Sequence, residues 1–200
     1  MSFKVKDHYY KKAKRENFLA RSVYKLDEID NKYNVIKKND RVLDLGYFPG
    51  SWIQYVSAKI GNDGLVVGLD IQEINTKLLH IKNVELFRSD IFEVKKLVDL
   101  NVSSPFNVVI SDMAPKTTGI KCVDQDRSLG LVEEVFNILP IFLGVGGNFV
   151  IKIFDSQQAQ TFLRANGKKL FQEFYLYKPK STRSVSKEFF AVGKKYKNQG

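Results

Sequence analysis

The chain predicts an α/β fold, a mainly parallel sheet with helices on both faces. Short apolar runs at 42–45, 65–69, 84–87, 106–110 and 148–154 alternate with segments of helical period, and strands separated by helices call for parallel pairing. The first four runs carry an acid at or near the C-terminal end: Asp44, Asp70, Asp90 and Asp112. A turn, Gly46-Tyr-Phe-Pro-Gly50, then parts the first run from a helical pattern. In open α/β sheets that layout brings backbone N–H groups close to a ligand.

Taken in order, residues 1–16 are polar and basic with Tyr9-Tyr10 among them, and read as an arm or loosely held helix. A helix is expected from Asn17, because Phe18, Leu19, Val23, Leu26 and Ile29 form a stripe near the 3.6 period. A polar connector, 34–40, leads into the first strand. Further helices are expected near 52–60, 73–80, 92–99, 128–142 and 156–168. The fifth strand, 148–154, follows a Gly144–Gly147 turn, and 171–177 and 188–192 supply a sixth and seventh. The connection between those two is too short for a helical crossover, so they should pair antiparallel. No repeat or linker divides the 200 residues, which suit one domain over 17–197 behind a basic arm, 1–16.

Gly46 and Gly50 permit turn dihedrals and close backbone approach, while Pro49 fixes φ. Neither a G-x-G-x-x-G cradle nor a G-x-x-x-x-G-K-[ST] loop occurs, so a dinucleotide or nucleoside triphosphate is not the first expectation. An acid at a strand end accepts hydrogen bonds from ribose hydroxyls or an adenine amino group. Any one of the acids could instead cap a helix, but four in register around a Gly/Pro turn favour a ligand.

One cysteine, Cys122, excludes an internal disulfide framework, and with only His8 and His80 besides no His/Cys metal cluster can be assembled. No apolar run reaches membrane-span length, and no apolar segment follows the basic N-terminus, so neither a span nor a secretory signal is expected. The net charge of +10 is unevenly spread. Residues 1–25 hold eight Lys/Arg against Asp7 and Glu16, and residues 168–200 hold nine against Glu173 and Glu188. Basic termini around a balanced middle point to a polyanion, with nucleic acid leading.

Lys152 stands inside Phe149-Val-Ile-Lys-Ile-Phe154. In a buried strand its ammonium is costly unless paired, or unless it sits at the open end and faces out. Carboxylates nearby offset that cost, and the balance leaves the amine able to accept or steer a proton. Asp112 is its natural partner, and Lys25 and Glu188 also lack apolar-stripe roles. Spacing alone does not show that these four converge.

The chain resembles the FtsJ/RrmJ-type RNA 2′-O-ribose methyltransferases from about Tyr9 to Tyr196. The resemblance rests on Ala20-Arg-Ser-Val-Tyr-Lys-Leu-Asp-Glu-Ile29, on Val42-Leu-Asp-Leu-Gly46 with Pro49-Gly50 and Trp52-Ile-Gln54, and on Ser111-Asp-Met-Ala-Pro115 with Thr118-Gly119. Gly146-Gly147 running into Phe149–Lys152, and Lys178-Pro179 through Ser181, Arg183, Ser186 and Glu188, complete it. It implies a Rossmann-like S-adenosylmethionine-dependent domain, with a seven-stranded mostly parallel sheet and an antiparallel last strand. A catalytic tetrad is implied at Lys25, Asp112, Lys152 and Glu188. Cofactor contacts are implied at Gly46, Pro49, Gly50, Ser51, Trp52, Asp70, Ile71, Asp90, Ile91 and Asp112, with no metal required.

Tyr47, Phe48 and Ser51 depart from the family, which has small residues after the first Gly and a second Gly before Trp. Their side chains must point away from the ligand or narrow the methionine end of its site. The implied reaction carries a methyl group from the sulfonium to a ribose 2′-oxygen, leaving S-adenosylhomocysteine. Lys152 would deprotonate or orient the hydroxyl, Asp112 and Glu188 would set its charge and direction, and Lys25 would stabilise the oxyanion or fix the ribose.

The substrate implied is a uridine of large-subunit ribosomal RNA, with a tRNA anticodon loop as the nearest rival. A non-catalytic RNA-binding protein on the same scaffold is the alternative from another class. Neither a cap pocket nor a substrate-capping domain is suggested, which disfavours cap and small-molecule methyltransferases. The arm and the Lys178–Arg183 loop are expected to grip RNA phosphates, with Tyr9, Tyr10 or Phe18 stacking on an unpaired base. A monomer is expected, away from membranes, in a cytoplasmic, nucleolar or organellar compartment that the sequence leaves open.

Overall fold

The computed structural model describes residues 8–197. Strands β1 (Arg41–Leu45), β2 (Leu65–Asp70), β3 (Val84–Arg88), β4 (Phe106–Ser111), β5 (Leu143–Phe154), β6 (Phe171–Tyr177) and β7 (Glu188–Tyr196) form one sheet in the order β3-β2-β1-β4-β5-β7-β6. β1 lies between β2 and β4, and all pairs from β3 to β5 are parallel. β7 slots between β5 and β6 and runs antiparallel to both. The expected antiparallel pairing of the last two strands is therefore present.

Helices α1 (His8–Arg15), α2 (Val23–Tyr33), α3 (Ser51–Ile60), α4 (Lys121–Phe142) and α5 (Gln157–Leu170) complete the fold. Alternation along each strand divides the core. Leu43, Val67, Phe149 and Ile151 pack with Val135, Leu139 and Leu163 from α4 and α5. Val42, Val66, Val108, Val150 and Phe190 pack with Leu26 and Ile29 of α2 and Ile53, Val56 and Ile60 of α3. Lys152, two residues from Val150, therefore belongs to the face covered by α2 and α3.

Several expected boundaries move. The first long helix starts at Val23, not Asn17. Asn17 takes a left-handed φ of 59°, and Gln54 of α3 bonds the chain there, accepting from Leu19 N (2.8 Å) and donating to Asn17 O (3.1 Å). Phe18 and Leu19 still pack on the core, which accounts for the apolar stripe. The helices expected at 73–80 and 92–99 shrink to single 3₁₀ turns at Thr76–Leu78 and Leu97–Leu100. Short segments do not sustain α-helix without a large apolar face, and here local side chains take the backbone amides. Asn75 accepts from Lys77 N, and Asp99 accepts from Lys95 N and Lys96 N. α4 begins earlier than expected, at Lys121, and β5 begins at Leu143, where its first residues join β4 before a register shift.

Residues 1–7 of the expected arm lie outside the described residues. From His8 onward it is helical, with Ala13 and Tyr9 docked on Val23 and Tyr24. Tyr9 and Phe18, expected as base-stacking platforms, spend ring faces inside the protein: Tyr9 lies 5.5 Å from Tyr24, and Phe18 6.3 Å, centroid to centroid. Tyr10 is exposed.

Candidate active site

The C-terminal ends of β1, β2 and β4 meet where the strand order reverses, the usual ligand crevice of an open α/β sheet. A cavity of about 440 Å³ opens there, within the range of small-molecule sites. Gly46, Asp70, Ile71, Asp90, Ile91 and Asp112 all line it, as do Phe48, Phe92, Met113 and Leu131. Gly46 has φ +74°, and a Cβ there would lie 2.3 Å from Met113 Cγ. The bare backbone is what lets the β1–α3 turn approach the end of β4.

Asp70 organises this turn. Its Oδ2 accepts from Phe48 N (3.0 Å) and its Oδ1 from Gln72 N (2.9 Å), leaving lone pairs on both oxygens for a ligand. Asp90 accepts from Phe92 N at 3.1 Å, an Asx turn that keeps the carboxylate at the cavity wall. Asp44, fourth of the series, is different. It is fully buried beneath the turn and does not line the cavity, and neither carboxylate oxygen has a hydrogen-bond partner. Burial, with the neighbouring Asp112 and Asp70 charges, pushes its carboxyl well above the usual carboxylate range.

Pro49, Gly50, Ser51 and Trp52, expected as cofactor contacts, lie off the cavity wall. They lock the turn to its surroundings. Pro49 O accepts from Asn75 Nδ2 (2.8 Å), a Cβ on Gly50 would strike Leu78, and Ser51 Oγ shares a hydrogen bond with Ser22 Oγ (3.0 Å). The Trp52 indole N–H donates to Ser22 O at 2.9 Å, one residue before α2. This ties α3 to the helix that carries Lys25. Tyr47 turns into the α2–α3 core, while Phe48 is exposed at the cavity wall. The two bulky residues thus divide the expected outcomes, and the cavity stays open.

The four tetrad residues share one neighbourhood. Lys152 is 8% exposed, and its Nζ lies 2.9 Å from Asp112 Oδ1 and also donates to Asp112 O. Lys25 forms an ion pair with Glu188, their side chains 13% and 11% exposed. Phe190 sits directly across from Lys152, and Glu188 across from Phe154. Lys152 and Glu188 are thus same-face diagonal neighbours, roughly 7–8 Å apart. Lys25, on α2, also stands 5.8 Å above the Phe190 ring. Glu188, expected to steer Lys152, is instead the counter-ion of Lys25. The antiparallel β5–β7 pair brings this acid to the lysine, and sequence spacing carries no direct sign of that register.

Sequence reading missed the cavity roles of Gln72, Phe92, Met113, Lys116 and Leu131. Phe92 and Met113 each lie one or two residues from an acid that was singled out, and that adjacency was the available signal. Leu131 comes from α4 and gave none.

A family model described as FtsJ-like methyltransferase matches residues 18–196. Ribosomal RNA large subunit methyltransferase E of Bdellovibrio bacteriovorus is 45% identical over 202 residues, covering 96% of this chain and 98% of that protein. Its namesake from Oleidesulfovibrio alaskensis is 45% identical over 97% of this chain and 93% of its own. Among solved structures, a Plasmodium falciparum protein assigned as a ribosomal RNA methyltransferase superposes with a TM-score of 0.77 at 26% identity, over 90% of this chain and 98% of its own. Aeropyrum pernix fibrillarin, solved with S-adenosyl-L-methionine, shares the fold at TM-score 0.62 and 15% identity, over 86% and 76%. The chain belongs to the FtsJ-like methyltransferase family.

Proposed function

We propose that this protein transfers a methyl group from S-adenosylmethionine to a ribose 2′-hydroxyl of large-subunit ribosomal RNA, at a uridine. The observation that carries the reading is the double role of Asp112, which borders the cavity and at the same time holds Lys152. Cofactor site and proton-handling amine are thereby joined through one side chain.

The residues of the cavity suit the cofactor. Asp70 and Asp90 offer acceptors for ribose hydroxyls and an adenine amino group, Ile71 and Ile91 offer apolar contact, and Gly46 lets the turn close against Met113 at the cavity wall. When bound, the cofactor supplies an electrophilic methyl group on a sulfonium that is already a good leaving group. What the chain must supply is aim and proton removal. Lys152 donates to Asp112 O and lies in ion-pair contact with its Oδ1, which fixes the amine and leaves it bonding capacity for the acceptor oxygen. There Lys152 orients or deprotonates the 2′-OH, and Asp112 balances the charge on the amine. Lys25, oriented by Glu188, stabilises negative charge growing on the 2′-oxygen. No metal enters these steps.

RNA is held by the basic N-terminal arm, residues 1–16, and by the loop between β6 and β7, with Tyr10 as the stacking ring. The catalytic domain, 17–197, acts as a monomer in the compartment where ribosomal RNA is found. The names and close likeness of the relatives support ribosomal RNA over tRNA. The test is transfer of a tritiated methyl group to unmodified large subunits, naked ribosomal RNA and tRNA, compared side by side. Label on large-subunit RNA, lost when the acceptor carries 2′-deoxyribose, supports the reading. Label on tRNA alone would replace the substrate, and no label on any RNA would leave only a binding scaffold.

A further inference from the structure

Glu28 has no part in the reaction described above, yet it is more committed than an ordinary helix carboxylate. Its Oε2 accepts from Lys180 N at 2.7 Å and its Oε1 from Ser181 N at 2.8 Å. Both oxygens thus grip successive amides of a loop more than 150 residues away in the chain. Arg21 adds a second tie by donating its guanidinium N–H to Ser181 O. The gripped segment is a turn, closed by Thr182 N donating to Pro179 O (3.0 Å), with Ser181 and Thr182 buried. A second turn, Ser186 N to Arg183 O at 2.9 Å, delivers the chain to Glu188.

The position of Glu28 gives the grip a consequence. It stands three residues after Lys25, on the same side of α2, and Lys25 pairs with Glu188 at the end of the same loop. Helix and loop are therefore joined twice, once through the Lys25–Glu188 pair and once through Glu28. Exposed Lys180 and Arg183 flank the second joint. Resting on the reading of this site as an RNA 2′-O-methyltransferase, we propose that Glu28 is a positioning residue for the acceptor RNA. It sets the loop's cationic groups at a fixed distance from the tetrad, so that a phosphodiester bound there aims the neighbouring ribose at Lys152.

The test compares the full-length protein with Glu28→Ala and Glu28→Gln. RNA affinity is read by filter binding with unmodified large-subunit RNA, cofactor affinity by calorimetry, and loop docking by limited trypsin cleavage after Lys180 and Arg183. Losing two amide bonds to a charged acceptor should weaken RNA binding by at least about tenfold in Glu28→Ala. Cleavage in the loop should quicken, with cofactor affinity unchanged. Glu28→Gln keeps one accepting oxygen and should fall between Glu28→Ala and the wild type on both readouts. A merely structural residue would instead weaken cofactor binding in step with RNA binding. Should Glu28→Ala lose cofactor binding through misfolding, the same two readouts on Glu28→Gln decide. Wild-type RNA affinity in the variants overturns the proposal, whether or not the loop opens. A wild type that binds RNA but methylates none would overturn the reaction and leave this affinity comparison standing.

Discussion

Two side chains in this site carry burdens that their neighbours impose. Lys25 and Glu188 are both mostly covered, and removing one partner of such a pair typically costs about 3–5 kcal/mol because the other is left buried and uncompensated. Substitutions there report on folding as well as catalysis. Asp44 is the opposite case, a buried carboxyl with no partner for either oxygen and two acids close by. Its folded pKa is raised, so the native state keeps a proton that the unfolded chain releases. Stability then falls as pH climbs from the ordinary carboxylate value through the folded one. Asp44→Asn removes that titration. Without cofactor, the variant should gain Tm over the wild type by a margin that grows from acid to neutral pH, read by calorimetry. A margin independent of pH contradicts the assignment. Asp44 was legible in the sequence as one of a series of acids, but its separate fate was not, because burial beneath a turn is a property of packing.

At the scale of elements, the β1–α3 turn does the most with the least side chain. Gly46 combines a left-handed φ with a position where a Cβ would overlap Met113. Gly46→Ala should therefore cost stability of about 1–3 kcal/mol from overpacking and abolish measurable cofactor binding by calorimetry. Normal affinity in that variant would mean the close approach is unnecessary. This turn was readable because glycine and proline mark it directly. The two short helices were misread because Leu78, Val94, Leu97 and Leu100 do pack on the core, while Asn75 and Asp99 take the local amides and leave only single 3₁₀ turns. The start of α2 was misread for a related reason. Phe18 and Leu19 are partly buried against the core, but the backbone around them is satisfied by Gln54 from another helix, which no local pattern reveals.

For the whole molecule, strand direction followed from the alternation of apolar runs with helical segments and from the shortness of the last connection, whereas the order β3-β2-β1-β4-β5-β7-β6 is set by packing that the sequence does not display. What spacing could not supply was convergence. Lys25 reaches the site on a covering helix, Asp112 just past the end of β4, Lys152 within β5, and Glu188 through an antiparallel insertion; the residues drew attention to all four, but only family resemblance joined them as a tetrad. Charge is also a property at this scale. Lys11, Lys14, Arg15, Lys180, Arg183 and Lys187 are exposed on α1 and the β6–β7 loop. If these side chains neutralise phosphates, RNA affinity should fall by about a thousandfold between roughly 50 and 200 mM salt. A flat response in a filter-binding titration would remove the arm and loop from the RNA contact.

In the proposed reaction Lys152, held by Asp112 beside the cavity, handles the acceptor's proton. Single-turnover methyl transfer by Lys152→Ala onto unmodified large-subunit RNA, with cofactor affinity measured on the same preparation, tests it most directly. Transfer should drop by about 10²–10⁴-fold, the usual worth of a positioned acid–base group, while cofactor affinity holds. Transfer at the wild-type rate with Lys152 gone would contradict the account.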